Sequence, residues 1–390
     1  MRIAVITGPA PGHTFPAAAL AVALRRAGHD VCLMSGPEWG SALKRDDIEL
    51  VDLPLLAHEH DRGDLGHRLY MRAAQMAEPC AEGLHQWKAD AVVSDALVTC
   101  GGWASALLGL PWVELIPHPL QDLSRDLPPP GTGLAPGRTP LGRTRDAVLR
   151  RMTARSLALA RSQREQARTS IGLREEQPPR ARLVATLPAL EPPRTDWPPN
   201  THVVGPLVWD PCNVDLEPPP GPEPLVFVSA STVPGRSMDL LETALASLRG
   251  LRLVCTTLTQ YDGALQAWAR VGPGRQQPLL DAASLMVSGA GNGIVCKGLQ
   301  AGLPLVLVPG WGEQKENASR AARLGAAVVI APRKLTGERL RNSVERALSV
   351  PSYAAASLAA GAASARDGPN HAAALTAMAL MRADGRRPNL

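Results

Sequence analysis

The sequence is poor in aromatic residues, which form 3% of its 390 residues and include only two Phe and three Tyr. Aliphatic side chains must therefore build the core, and the eight Trp are the conspicuous large residues. No apolar run reaches the roughly 18 residues that a helix needs to cross a membrane. With 45% hydrophobic and 20% charged residues, the composition is that of an ordinary globular chain and excludes a disordered or fibrous one.

Cysteine is scarce and scattered. The six cysteines form no CxxC pair and lie far apart: Cys32, Cys80, Cys100, Cys212, Cys255 and Cys296. This spacing disfavours a zinc site or a disulfide framework and favours a reducing compartment. The first residues, MRIAVITGPAPGH, are too short and too strand-like for a secretory signal peptide, so we expect a cytoplasmic protein without a transmembrane segment.

Neither sign of charge dominates, because 41 Lys and Arg face 36 acidic residues and leave a formal net charge of +5. This mild positive bias suits a small anionic ligand such as a nucleotide. No block of Lys and Arg is interleaved with aromatic residues, so no nucleic acid is expected as a partner.

Strand-like and helix-like segments alternate over residues 1–118. RIAVIT (2–7) leads through a Gly/Pro loop into the helical FPAAALAVALRRAG, and the strand-like HDVCLMS follows. ADAVVSD (89–95) and PWVELIP (111–117) are further predicted strands. This alternation predicts a doubly wound parallel sheet.

The middle of the chain breaks this alternation. Residues 119–142 are a Pro/Gly-rich loop, and residues 143–170 form a strongly basic helical stretch. Leu149, Met152, Leu157 and Leu159 give this helix an apolar stripe. We expect a solvated helix lying over the N-terminal half, with a membrane-facing or acceptor-facing role as the alternative.

The length predicts two domains or three, and residues 210–224 are the clearest boundary because they are rich in Pro and acidic residues and lack periodicity. The β/α alternation restarts after them. We therefore predict an α/β protein of two Rossmann-like domains, residues 1–209 and 225–370, facing each other across a cleft. The C-terminal helix and tail, residues 371–390, are expected to pack back on the N-terminal domain. Ligands of such sheets bind at the carboxyl ends of the strands.

Two titratable residues follow strands of the first domain. His13 stands in the loop after the first predicted strand, where a neutral imidazole can accept a proton near neutral pH. Asp95 ends the strand ADAVVSD, where its carboxylate can face His13 and orient the ring. The plainer interpretation is that each residue only caps the helix that follows.

The second domain offers a candidate phosphate site. In VSGAGNGIVCKG a strand leads through Gly289, Gly291 and Gly293 into a helix, and small residues let a diphosphate approach the backbone N–H groups at the helix start. Ser231 and Thr232 follow the first strand of this domain and can add hydroxyl contacts. Both segments can equally be ordinary turns. Glu313 and Gln314 follow a later strand, where a carboxylate and an amide can hold sugar hydroxyls.

Taken together, these motifs resemble the GT-B-fold glycosyltransferases that use nucleotide sugars, in particular those that modify bacterial natural products and antibiotics. The similar blocks span nearly the whole chain: GH..P..ALA..L...GH.V at 12–31, the strand ending in Asp95, VGPL at 204–207, AGLPLVLVP, and EQ..NA.R at 313–320. Their order and spacing are more specific than any single block.

The resemblance implies a reaction in which an acceptor hydroxyl attacks the anomeric carbon of a dTDP- or UDP-sugar and inverts it. It implies His13 as the general base and Asp95 as its orienting partner, an acceptor-binding N-terminal domain and a donor-binding C-terminal domain. The implied donor site is the largest set: Ser231, Thr232, Arg275, Gly289, Ala290, Gly291, Asn292, Gly293, Lys297, Glu313 and Gln314. Neither a cofactor nor an obligatory metal ion is expected.

The acceptor would be a small lipophilic compound such as a polyketide or macrolide-like molecule, held by loops of the first domain. The candidate acceptor residues are Gly12, Met71, Met76 and His118, with Trp39 and Trp103 as further wall residues. Each of the larger side chains can equally be plain core. A monomer or a homodimer is expected.

The chain departs from the family pattern on the donor side. Gly289 stands where a phosphate-binding His is usual, Ile294 near the position of a Thr or Ser, and Lys297 where many relatives have a ribose-binding Glu. The base-stacking Trp is absent around GPGRQ (272–276), where Arg275 can take its place. A sugar-nucleotide epimerase, a lipid-linked sugar transferase and a non-catalytic partner protein therefore remain alternative hypotheses.

Overall fold

The computed structural model describes residues 1–53, 65–229, 238–310, 312–362 and 368–381. Within them the chain forms two parallel β-sheets, each covered by helices on both faces. The predicted α/β class with two Rossmann-like sheets is confirmed. In the described part of the chain, no helix is long and apolar enough to cross a membrane.

The first sheet has seven strands in the order β3-β2-β1-β4-β5-β6-β7, and all of its pairings are parallel. Its strands are β1 (Arg2–Ile6), β2 (Asp30–Ser35), β3 (Glu49–Asp52), β4 (Ala91–Asp95), β5 (Trp112–Ile116), β6 (Arg182–Val184) and β7 (Thr201–Val203). Its helices are α1 (Pro11–Arg26), α2 (Gly40–Arg45), α3 (Leu65–Gln86), α4 (Thr99–Leu108) and α5 (Pro140–Ser170). The strand order reverses between β1 and β4, so the loops after these strands diverge and leave a crevice.

The second sheet repeats this plan with the order β10-β9-β8-β11-β12-β13. Its strands are β8 (Leu225–Ser229), β9 (Arg252–Thr256), β10 (Ala269–Gly272), β11 (Leu285–Ser288), β12 (Leu305–Leu307) and β13 (Ala327–Val329). Its helices are α6 (Met238–Ser247), α7 (Gln276–Ala282), α8 (Asn292–Gln300), α9 (Gln314–Arg323), α10 (Gly337–Ser349) and α11 (Ser352–Ala362). The last helix, α12 (Pro369–Met381), returns to the first sheet. Here the order reverses between β8 and β11.

Aliphatic side chains fill the core of each sheet, as the shortage of aromatic residues requires. Nearly every residue of the central strands β1 and β4 is fully buried, which parallel sheets covered on both faces demand. Helix α12 packs against α1, and Ala372 and Leu380 join the core under the first sheet. The Arg180 guanidinium also donates to the Leu380 carbonyl at 3.0 Å.

The apolar segments at 183–194 and 202–209 predict longer strands than the three-residue β6 and β7 of the structure. Pro188–Leu190 is a 3-10 turn instead, because proline cannot donate to a β-ladder. In α5 the apolar stripe is not buried, since Met152 and Leu159 are 62% and 58% exposed.

Candidate active site

His13 and Asp95 meet at the crevice of the first sheet. Strands β1 and β4 are neighbours, with Ile6 opposite Ser94, so the residues that follow them emerge side by side. His13 lies in the first turn of α1, and its Nδ1 is 2.9 Å from Asp95 Oδ2. The Asp95 side chain is fully buried, and its second oxygen accepts the Leu97 N–H at 2.8 Å. The two residues form a hydrogen-bonded pair whose carboxylate is fixed by the backbone.

The protonation state of His13 follows from this pairing. A carboxylate accepts hydrogen bonds, so Nδ1 carries the proton and Nε2 is the basic nitrogen of the neutral ring. Burial lowers the pKa of His13, but the hydrogen bond and charge of Asp95, together with the charge of Glu313, outweigh it and raise the pKa above its ordinary value. His13 is thus a stronger base than a free histidine, with 22% of its side chain exposed.

The glycine-rich segment lies at the crevice of the second sheet, directly after β11. Ala290 is fully buried in a left-handed conformation with φ of +64°, and its carbonyl accepts from Asn317 Nδ2 at 3.1 Å. Gly291 then caps the nine-residue helix α8. A Cβ added at Gly291 or Gly293 would meet nothing within 4 Å, so the space in front of the helix N-terminus is open. Free N–H groups at such an end can bind a phosphate.

Asn292 has a different place from the one predicted. Its side chain is buried, and its Nδ2 donates to the carbonyls of Pro117 and Ala185 at 3.0 and 2.8 Å. Its Oδ1 accepts from Thr186 Oγ1 at 2.8 Å. The amide therefore bridges the two domains, and only the backbone N–H of Asn292 is left for a ligand.

A cavity of about 1100 Å³ opens between the two domains. The first domain contributes Phe15 and Trp39, whose rings contact edge to face at 4.9 Å. From the second domain, Lys297 Nζ lies 2.6 Å from Gln276 Oε1, and Gln276 Nε2 lies 3.0 Å from Thr256 Oγ1. Burial lowers the pKa of Lys297, opposed by the charge of Asp210. A half-buried ammonium group that lines a cavity of this size can hold an anion.

Arg275, predicted to stack on the donor base, is not among the residues that line this cavity. Its guanidinium makes two parallel bonds to Asp215, at 2.7 and 2.8 Å, on the exposed linker. Among the described residues that line the cavity, Gly274 and Gln276 flank it on both sides while Arg275 itself is missing. The side chain is thus engaged away from the position where stacking on a base was predicted.

Glu313 and Gln314 begin α9 after β12, at the same edge as the glycine-rich segment. Glu313 caps the helix and acts electrostatically on His13 across the cleft. Gln314 Oε1 accepts the Gly310 N–H at 2.8 Å, which leaves its amide N–H groups as donors. Ser231 and Thr232 lie outside the described residues.

The predicted acceptor residues divide into open and buried positions. A Cβ at Gly12 would meet nothing within 4 Å, and His118 stands two residues after β5 with its Nδ1 2.9 Å from the Pro119 carbonyl. Met71 is half-buried on α3, whereas Met76 is only 4% exposed and belongs to the core.

Two tryptophans were further candidates for the acceptor walls. Trp39 lines the cavity between the domains. Trp103 is 3% exposed and lies in the same core cluster as Met76, where close packing rather than ligand contact explains it.

Several residues that shape the site were not foreseen. Asn317 and Gln276 support the glycine-rich segment and Lys297, and Trp209 closes the cavity beside Phe15 at a ring distance of 5.5 Å. Asn317 stands in the block EQ..NA.R, so its position was visible although its role was not. In the described ranges no group of three or more His, Cys, Asp or Glu is arranged to hold a metal ion.

Comparison with known proteins gives a consistent set of likenesses. The glycosyltransferase family 28 C-terminal domain matches residues 275–371. A 4'-demethylrebeccamycin synthase of Lentzea aerocolonigenes is 27% identical over 394 residues, 90% of this chain and 93% of that protein. An O-mycaminosyltylonolide 6-deoxyallosyltransferase of Streptomyces fradiae is 30% identical over 187 residues, 45% of this chain and 44% of that protein.

Two solved structures superpose on this chain over nearly its whole length. The glycotransferase of kitacinnamycin superposes with a TM-score of 0.77 at 22% identity and covers 97% of this chain and 99% of its own. Glycosyltransferase VinC in complex with dTDP superposes with a TM-score of 0.69 at 20% identity, covering 98% of this chain and 100% of its own. At such identities the likeness establishes the GT-B fold.

Proposed function

Because this chain is a glycosyltransferase of the GT-B fold with natural-product glycosyltransferases among its relatives, we propose that it transfers a sugar from a dTDP- or UDP-sugar to a hydroxyl of a small lipophilic acceptor, with inversion. The observation that carries this proposal is the bond between His13 Nδ1 and Asp95 Oδ2 at the cleft. It leaves the basic Nε2 of His13 for an acceptor hydroxyl.

In the proposed step, Nε2 of His13 takes the hydroxyl proton while the acceptor oxygen forms a bond to the anomeric carbon. The bond from that carbon to the diphosphate breaks, and its electron pair leaves with the diphosphate. The buried Asp95 carboxylate stabilises the imidazolium that forms. A single displacement of this kind inverts the anomeric centre.

The donor would lie on the second domain, with its diphosphate before the N-terminus of α8. The open space at Gly291 and Gly293 suits a close approach of phosphate oxygens to backbone N–H groups. Lys297 adds a positive charge in the adjoining cavity. These groups would stabilise the developing charge of the leaving diphosphate, and Glu313 and Gln314 would hold the sugar hydroxyls.

The test is calorimetric titration of the purified protein with dTDP, UDP, GDP and ADP, each with and without magnesium. Micromolar binding of one pyrimidine diphosphate that magnesium leaves unchanged supports the proposal. No binding by any of the four nucleotides contradicts it. A screen of polyketide and phenolic aglycones with the matching dTDP- or UDP-glucose then identifies an acceptor for kinetic work.

A lipid-linked acceptor is a second candidate, favoured by the exposed face of α5. Leu141, Val148, Met152 and Leu159 are 82%, 54%, 62% and 58% exposed, and their spacing of seven, four and seven residues places them on one helix face. Exposed Arg151 and Arg155 flank this face. Such an apolar stripe between basic residues suits an anionic membrane surface. Sedimentation with phosphatidylglycerol vesicles, but not with phosphatidylcholine vesicles, would support this candidate.

A further inference from the structure

One loop of the first domain is fastened directly to the helix that begins with Glu313 and Gln314. This loop, residues 119–139 before α5, is one of the loops of the first domain that would hold the acceptor, and α9 would hold the donor sugar at its N-terminus. Two hydrogen bonds join them. The Gly133 N–H donates to Glu316 Oε2 at 3.1 Å, and the Ser319 hydroxyl donates to the Gly133 carbonyl at 2.6 Å. We refer to Gly133, Glu316 and Ser319 as the clip.

Glycine suits position 133 for two reasons, its backbone conformation and the lack of space for a Cβ. Its φ of +66° lies in the left-handed region, which residues with a Cβ rarely adopt. A Cβ would also lie 3.1 Å from the backbone oxygen of Lys315 on α9. Backbone gives way less readily than the end of a flexible side chain, so a larger residue must shift the loop or the helix by a few tenths of an ångström and disturb the contact between them.

The neighbouring Gly131 provides a contrast. It also adopts a left-handed conformation, with φ of +78°, but a Cβ there would meet nothing within 4 Å. Substituting alanine at either glycine imposes the same kind of backbone strain. Only the substitution at Gly133 also disturbs the contact with α9.

The start of the same loop is tied to α9 through buried charges. Glu191 Oε1 accepts the Leu120 N–H at 2.5 Å, and Glu191 Oε2 lies 3.3 Å from the Arg320 guanidinium. Arg320 in turn donates from Nε to Glu316 Oε1 at 3.0 Å. The side chains of Glu191, Arg320 and Glu316 are 5%, 5% and 7% exposed, so water screens these charges little. The loop is thus held to one helix at both its start and its middle.

We propose that the clip couples the two substrate sites, so that a donor sugar engaged by the N-terminus of α9 fixes the acceptor loop in place. This inference rests on the proposed function. Glu316 and Ser319 are then positioning residues, since they act through Gly133 and not on the substrates. Because coupling between two sites is reciprocal, an ordered loop must also strengthen the binding of the sugar.

The test is hydrogen exchange of the peptide that spans residues 129–137, measured by mass spectrometry with no ligand, with dTDP and with dTDP-glucose. Calorimetry establishes saturation in the same samples. In the wild type, dTDP-glucose is expected to slow exchange of this peptide by about 5-fold or more, the lower end of ordinary allosteric coupling. Because dTDP lacks the transferable sugar that would reach α9, it is expected to have a smaller effect.

Three variants sharpen the measurement. Gly131→Ala should retain the slowing by dTDP-glucose, whereas Gly133→Ala should lose it although dTDP still binds. Ser319→Ala disturbs the fold least and should reduce the slowing, since it removes the bond to the Gly133 carbonyl. The inference is overturned if dTDP-glucose slows exchange in Gly133→Ala and Ser319→Ala as much as in the wild type. It is also overturned if the wild type binds dTDP-glucose but shows no slowing. Absence of any binding heat in the wild type overturns the proposed function and this inference with it.

Discussion

The two crevices of the molecule have the same topology, but only the first is occupied by a hydrogen-bonded pair of side chains, whereas the second is open. At the first crevice, His13 and Asp95 are already joined at 2.9 Å, and both oxygens of the carboxylate have partners. At the second, the space beside Gly291 and Gly293 at the N-terminus of α8 is open. The first crevice therefore carries a titratable group that is already oriented, whereas the second leaves open space in which a ligand could bind.

Under the proposed function, this difference suits the first crevice to the general base and the second to the phosphate site. A base must be oriented in advance, because its pKa and direction determine the rate of proton transfer. A phosphate site can remain open, because the anion itself satisfies the N–H groups at the helix start. Changes at the first crevice should therefore alter turnover, and changes at the second should alter donor affinity.

The largest expected effect follows from His13→Ala. Removal of a general base should lower kcat by roughly 10²–10⁴-fold, while the Kd for dTDP stays unchanged. The measurement combines kinetics on the screened acceptor with calorimetry. His202→Ala, on the exposed face of β7, is the matched control and should retain the wild-type rate. Wild-type turnover in His13→Ala would show that His13 is not the general base.

Asp95→Asn should lower kcat, by no more than His13→Ala does, because the amide no longer stabilises the imidazolium. It should also move the pH profile. Asp95 raises the pKa of His13, and the basic form exists above that pKa, so activity falls as the pH decreases through it. Loss of the carboxylate lowers the pKa and shifts the acid limb of kcat/KM to lower pH. An unshifted acid limb would show that another group titrates there.

On the donor side, Lys297→Met should weaken dTDP binding by roughly 10–100-fold, the range for loss of a hydrogen bond to a charged group. Its effect on kcat at saturating donor should be small. Calorimetry with dTDP measures the loss, and Lys44→Met on the exposed end of α2 is the control. Equal affinities for Lys297→Met and the wild type would place the diphosphate elsewhere.

Asn292→Ala should distinguish a structural bridge from a ligand contact. The substitution leaves the Pro117 and Ala185 carbonyls without their donor, at a cost of about 1–3 kcal/mol in the free energy of unfolding. The Kd for dTDP should change by less than about 3-fold, which corresponds to well under 1 kcal/mol. Thermal unfolding and calorimetry measure the two quantities. A large loss of dTDP affinity without a loss of unfolding free energy would show that the Asn292 side chain contacts the donor.

The smallest effect is expected for Arg275→Ala. The guanidinium is bound to Asp215 on the exposed linker, and exposed ion pairs contribute about 0–1 kcal/mol to stability. Both the melting temperature and the Kd for dTDP should stay close to those of the wild type. A marked loss of dTDP affinity would instead support the stacking role predicted from the sequence.

The sequence was informative wherever a local pattern determines position. The β/α alternation predicted both sheets, and the chain positions of His13 and Asp95 after strands predicted that they would meet. Asn292 and Arg275 could not be placed in this way, because their partners, Pro117 and Asp215, lie far away in the chain or in a linker without periodicity. Helix α5 agrees with the prediction of a solvated helix over the N-terminal half, since it packs against α3 while Met152 and Leu159 are exposed.

Turnover and donor binding should depend on different crevices of the molecule. Calorimetric titration of dTDP into the wild type, His13→Ala and Lys297→Met tests this separation directly and requires no known acceptor. We expect His13→Ala to bind dTDP as the wild type does and Lys297→Met to bind it roughly 10–100-fold more weakly. Equal weakening in both variants, or undiminished binding in Lys297→Met, would show that the two crevices do not have these separate roles.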